Sequence, residues 1–320
     1  MFLTYLQSSI RLSAVFLFGA TGEALTEKSG NLNLGTPGIM CMGGAGCVLG
    51  ASFYVSMVGG VENMTPFGAI LTTILMTLIF SLLGGLIYSF ITITLRCNQN
   101  VTGLALTTFG VGLLSFCGGR VDKTGFSAIS DYFTRSFPIS AEPNWFETLF
   151  LSYGMLVYIA VILAIVVAIV IKKTRVGLNL RAVGENPATA DAAGVSVTNY
   201  KYAATLIGSM IAGLGGLFYI MDQRYGNIEY TIDSFGWLAV ALVIFTVWRP
   251  NWAILGSILF SMLYLLSSYV GDSSMPAQAA AIKMVPYLVT VVVLVVTSIV
   301  SRRESQPPAS LGLTYFREER

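Results

Sequence analysis

Apolar residues run through this 320-residue chain in long blocks, at positions 38–57, 67–95, 101–117, 145–171, 200–221, 235–247, 252–270 and 279–300. Most of these runs reach the roughly 20 residues that carry an α-helix across a bilayer. No alternating pattern of barrel strands competes with that reading. The pattern predicts an all-α polytopic membrane protein with about eight to ten transmembrane helices. Positions 1–22 are ambiguous, because Arg11 sits in mid-run and only 12–22 is cleanly apolar, so this segment is either a further span or an interfacial helix. The runs at 235–247 and 252–270 are parted only by Trp248-Arg249-Pro250-Asn251 and read as a tight hairpin. The whole of 1–320 reads as a single transmembrane domain, with a polar loop at 172–198 and a short charged tail at 301–320.

The loop, VGLNLRAVGENPATADAAGVSV at 176–197, carries its own punctuation. Asn186 is placed to cap a helix whose first residue is Pro187, where a missing N–H costs nothing. Gly194 supplies a left-handed stop. The helix between them, 188–193, has fewer than two turns and is too short to stand alone in water. It needs a partner surface.

Composition supports the membrane reading: 55% of residues are hydrophobic, 11% are charged and mean hydropathy is +0.74. With the 172–198 loop in the cytoplasm, most basic residues fall inside, among them Lys28, Arg96, Lys172, Lys173, Arg175 and Arg181. Arg120, Lys123, Arg135, Arg224 and Lys283 fall outside, so the arrangement obeys the positive-inside rule and puts the C-terminus in the cytoplasm. The start shows no removable signal peptide. Cys41, Cys47, Cys97 and Cys117 are scattered, and without histidine they predict no metal site.

Small residues predict the packing. Gly46 and Gly50 form a GxxxG pair, and Gly208, Ala212 and Gly216 repeat every fourth position. GAGCVLG at 44–50 has no preceding strand and no following Lys-Ser or Lys-Thr, so it reads as helix packing rather than a phosphate loop, and the chain is not its own ATPase. The spans show no intramembrane carboxylate of the kind that ion-coupled transporters use, and no paired carboxylate or Ser–base arrangement for an intramembrane enzyme.

The stretch 177–187, GLNLRAVGENP, followed by Asp191-Ala192-Ala193-Gly194-Val195, resembles the coupling loop of ABC importer permeases for ribose, branched-chain amino acids and nucleosides. Asp191 stands where the family's Glu-Ala-Ala…Gly signature has Glu. EKSGNLNLGTPG at 27–38 and NQNVTGLA at 98–105 look most like the nucleoside importers, with Thr102 where Ser is common. The resemblance runs from about residue 15 to 300 and implies a type II-like permease fold. It implies contact with a cytoplasmic ABC ATPase through Arg181, Gly184, Glu185, Asn186, Pro187, Asp191 and Gly194. It also implies a second permease subunit in a heterodimer, and an extracellular substrate-binding protein or lipoprotein that docks on the outer loop 118–143. ATP and Mg would belong to the ATPase partners, and this chain would bind no cofactor, no metal and no nucleic acid. The setting is a bacterial plasma membrane, with membrane lipid around the helices. Asn31, Asn33, Phe53, Thr102, Thr107 and Thr108 are candidate pathway groups, with Ser115, Tyr54 and Trp237 beside them. A nucleoside is the expected solute; a ribose-like sugar, a branched-chain amino acid or an ion-coupled secondary transporter are the alternatives.

Overall fold

The computed structural model describes residues 2–120, 123, 125–137, 144–228, 232–270, 281–282, 284–300 and 306–316, whose regular structure is helical, with no strand among them. Helices α1 (Phe2–Glu27), α2 (Thr36–Val58), α3 (Pro66–Ser89), α4 (Gln99–Arg120), α5 (Phe126–Thr134) and α6 (Trp145–Phe150) form the first half. Helices α7 (Met155–Lys173), α8 (Arg175–Glu185), α9 (Pro187–Ala192), α10 (Val197–Phe218), α11 (Ile232–Phe245), α12 (Pro250–Val270) and α13 (Val285–Val300) form the second. Single π-turns, Phe90–Thr94 and Tyr219–Gln223, extend α3 and α10. Among the described residues, Thr36–Val58, Pro66–Thr94, Gln99–Gly119, Met155–Lys173 and Val197–Gln223 are long and apolar enough to cross a membrane, while α11 is a shorter apolar helix.

The ambiguous first segment proves to be the innermost helix. From Leu12 to Glu27 every residue of α1 is buried, against α10, α11, α12 and α7. A helix enclosed by protein need not be apolar on every face, because its polar groups find partners on neighbouring helices rather than in lipid. Arg11 therefore does not end the segment. Its Nε donates to Asp222 Oδ1 at 2.7 Å and its guanidinium also reaches the Asp222 carbonyl and the Tyr225 hydroxyl. The expectation of a bundle without an intramembrane carboxylate or paired carboxylates is corrected here. Asp222, just past the apolar run at 200–221, is wholly buried because the π-turn carries α10 onward past Met221. Glu23 and Glu27, one turn apart on α1, are both buried.

Two further boundaries differ from the pattern. The run at 145–171 is broken between α6 and α7, where Gly154 enters extended backbone before α7 begins. The start of the polar loop is itself a helix, α8, which packs against α7.

Small residues set the close approaches as predicted. A side chain at Gly46 or Gly50 of α2 would strike Met76 or Thr72 of α3, and Gly22 of α1 and Gly208 of α10 face each other's carbonyl oxygens. Gly110 of α4 likewise lies against the Gly38 carbonyl of α2, and Gly38 against the Leu106 carbonyl of α4. Of the expected binding-protein surface at 118–143, residues 121, 122, 124 and 138–143 lie outside the described residues.

Candidate functional site

Helix α9 is built as its sequence dictates. Asn186 adopts extended backbone and its side-chain oxygen accepts from Thr189 N at 3.0 Å, Pro187 opens the helix, and Gly194 has φ +83°. The N–H groups of Gly194 and Val195 then bond the carbonyls of Asp191 and Ala190, each at 3.0 Å, closing a Schellman motif. Upstream, Thr174 caps α8 through Gly177 N at 3.1 Å, and Gly177 lies so close to Val170 and Ile171 that a side chain would overlap α7. The helix is therefore pinned to the last turn of a long span. Beneath α9, Val183, Ala190 and Val197 make a small apolar cluster of their own, closed by Val195, Tyr200 and Tyr315.

The expected contact residues divide between two faces. Arg181, Glu185, Asn186 and Gly194 are exposed and Pro187 is half-buried. Gly184 is buried against the Lys28 carbonyl, and Asp191 is turned toward Tyr315, whose hydroxyl donates to its carboxylate at 2.9 Å. Burial pushes the Lys28 ammonium below its ordinary value; Glu185 opposes that shift, and Arg249 and Arg181 add to it.

Residues 306–316 return to brace this unit. Ser310 N donates to the Gly184 carbonyl at 3.0 Å, Gly312 N to Gly30 O at 3.2 Å, and the Arg96 guanidinium lies 4.8 Å from the centre of the Phe316 ring. The tail read simply as a charged end. Nothing periodic in it signals docking, because its contacts are isolated backbone hydrogen bonds and the side chains of Ser310, Tyr315 and Phe316.

The turn from Lys28 to Gly35 is irregular backbone buried in the bundle, and neighbouring side chains satisfy it. Asn33 N donates to Glu23 Oε1 at 3.2 Å, and Asn33 Oδ1 accepts from Gly35 N at 3.1 Å. Thr36 donates to Glu23, and the Trp248 indole to Glu27. The two nucleoside-importer-like stretches meet here, since Gln99 Oε1 accepts from Leu32 N at 2.7 Å and Thr107 donates to Leu34 O at 3.0 Å. Glu23, which bolts this turn to α1, and Trp248, which ties the end of α1 to the α11–α12 hairpin, were not singled out from the sequence. Trp248 sits with Val247 in left-handed backbone, φ +55° for both, and that strain aims the indole inward.

The candidate pathway residues do not share one surface: four gather in or beside the buried 28–35 turn and two stand apart. Asn31 is buried and bonds Thr205 at 3.2 Å, Asn33 is buried in its turn, and Thr102 and Thr107 face the bundle. Phe53 and Thr108 are exposed on separate helices, and Thr108 shares the open face of α4 with Ala105, Gly112 and Ser115.

The family described as branched-chain amino acid transport system, permease component, matches residues 5–295. The chain is 30% identical to the putative glucose ABC transporter permease protein TsgC13 of Haloferax volcanii, over 98% of this chain and 97% of the relative. It is 29% identical to the nucleoside ABC transporter permease protein NupC of Lactococcus lactis, over 88% of each. With the guanosine ABC transporter permease protein NupQ of Bacillus subtilis it shares 26% identity, over 96% of this chain and 95% of the relative. Matched almost end to end by that family and by permeases named for ABC transport, this multi-pass chain belongs to the branched-chain amino acid transport permease family and is a non-catalytic membrane subunit of an ABC importer.

Proposed function

We propose that this subunit forms half of a translocation pathway for nucleosides and takes its movement from a separate cytoplasmic ATPase through α9. The observation that carries the reading is the mounting of α9. A six-residue helix capped at both ends stands on its own apolar cluster and turns Thr189, Ala192 and Ala193 outward. Such a helix gains its order from what it stands on, so its exposed face is free to meet a groove. ATP and Mg act on the ATPase; this chain supplies a stiff lever. Placing α8, α9 and residues 306–316 on the cytoplasmic side follows the basic residues. A second permease, different from this one, completes the pathway, and the open face of α4 bearing Thr108 and Ser115 is the surface offered to it. An extracellular binding protein delivers the solute.

Nucleoside as the solute rests on the stretches at 27–38 and 98–105 and on relatives named for nucleosides and guanosine. The relative named for glucose supports a sugar as the second reading. The test is ATP-driven uptake by the reconstituted importer with its binding protein, offering radiolabelled guanosine, uridine and glucose in turn. Uptake of a nucleoside that unlabelled nucleosides compete away and glucose does not is the expected result. The opposite competition pattern replaces nucleoside with sugar.

A further inference from the structure

Beside α9 lies a cavity of about 460 Å³, a size that suits a small organic ligand. Its walls come from the Asn31 turn, from Arg96 and Gln99 at the α3–α4 junction, from the first residues of α10, and from Thr314 and Tyr315. Lys201 lines it while being only 4% exposed, and its ammonium has no hydrogen-bond or ion-pair partner among the described residues. A buried cation without a partner is costly, so a position that keeps one points to an anion that visits it.

Two independent features agree. Helix α10 is long, and its N-cap Ser196 makes no side-chain hydrogen bond to the first turn, leaving backbone N–H groups and the positive end of the helix dipole at the cavity wall. Asn31 Oδ1 is buried without a hydrogen-bond partner, whereas its Nδ2 is held by Thr205. A ligand that carries a hydroxyl as well as its anionic group supplies a donor for this acceptor. Asp191, the one carboxylate on the wall, accepts from Tyr315.

We infer that this cavity binds a phosphate ester carrying neighbouring hydroxyls, its phosphate between the Lys201 ammonium and the N-terminal amides of α10, and a hydroxyl on Asn31. The ester is either a soluble sugar phosphate or a glycerol-phosphate lipid headgroup. Because Tyr315 both walls the cavity and holds Asp191 of α9, an occupant braces the mount of α9. The inference stands whatever the importer carries, since it is read by binding rather than transport.

The test uses the full chain in phosphatidylcholine nanodiscs, titrated calorimetrically with ribose 5-phosphate. Saturable binding is expected, kept by Lys201→Arg and weakened at least about tenfold by Lys201→Gln, the scale of one hydrogen bond to a charged group. If phosphatidylglycerol in the nanodisc blocks ribose 5-phosphate binding to the wild type but not to Lys201→Gln, the site is supported and its source is the lipid. Absence of binding to ribose 5-phosphate and of any phosphatidylglycerol effect overturns the inference, as does equal binding by Lys201→Gln. Folding is controlled with Lys201→Met in phosphate-free neutral lipid. That variant should melt above the wild type, because an uncompensated buried charge is gone; melting below it would mean that Lys201 has a structural partner, and the inference would fall.

Discussion

Gly194 is the residue on which the shape of α9 turns. A side chain there would touch nothing within 4 Å, so the cost of replacing it is purely conformational, about 1–2 kcal/mol for a left-handed L-residue and more for a β-branched one. Gly194→Val should therefore insert and fold normally yet lose substrate-stimulated ATP hydrolysis in the assembled importer; normal stimulation would count against α9 as the lever. Arg11 makes the opposite case, because its partner Asp222 is fully buried and one carboxylate oxygen already lacks a partner. Arg11→Ala strands that charge and should cost about 3–5 kcal/mol, read as a lower melting temperature in detergent. Adding Asp222→Asn should recover much of the loss. These two residues also mark what the sequence discloses at this scale. The caps at Asn186 and Gly194 were legible because a cap is decided within four residues of itself. Arg11 with Asp222, and Glu27 with Trp248, were not, since each pair is separated by about two-thirds of the chain and only tertiary packing reveals which charge is compensated.

Among the elements, each of the eight apolar runs holds helix among the described residues, the one at 145–171 in two pieces, and the lipid-crossing requirement makes such runs easy to read. Helix α1 escaped because it answers to protein instead of lipid. Its small residues admit α10 closely, and that closeness is testable. Gly22→Leu has no room against the backbone of Gly208 and Ala212 and should abolish the folded, monodisperse protein in size-exclusion chromatography. Gly112→Ala on α4, where an added carbon meets nothing, should instead raise stability by about 0.5–1 kcal/mol. If both behave alike, the proposed contact between α1 and α10 is wrong. Helix α8 was hidden for another reason: eleven residues with a narrow apolar face formed by Leu180 and Val183 resemble any polar connector until α7 and the Lys28 turn are placed against them.

Across the whole molecule, apolar side chains stand outward on α3, α7 and α13, Leu75, Ile79, Ile162, Ile165, Leu288 and Val291 among them. Lipid covers such surface at no cost, which is why a bundle can expose it and remain stable. Polar chemistry gathers instead at one end, where the Lys28–Gly35 turn, α8 with α9, and residues 306–316 are knitted together by hydrogen bonds that Gly30, Gly184 and Asp191 accept. The sequence disclosed two of those three partners through their motifs; the third has none. That third partner bears on how the molecule is handled at the bench. A reporter group or purification handle placed beside Tyr315 would load this part of the molecule directly, through the bond from the Tyr315 hydroxyl to Asp191. Attachment in the exposed Gly59–Gly60 bend would leave that part untouched.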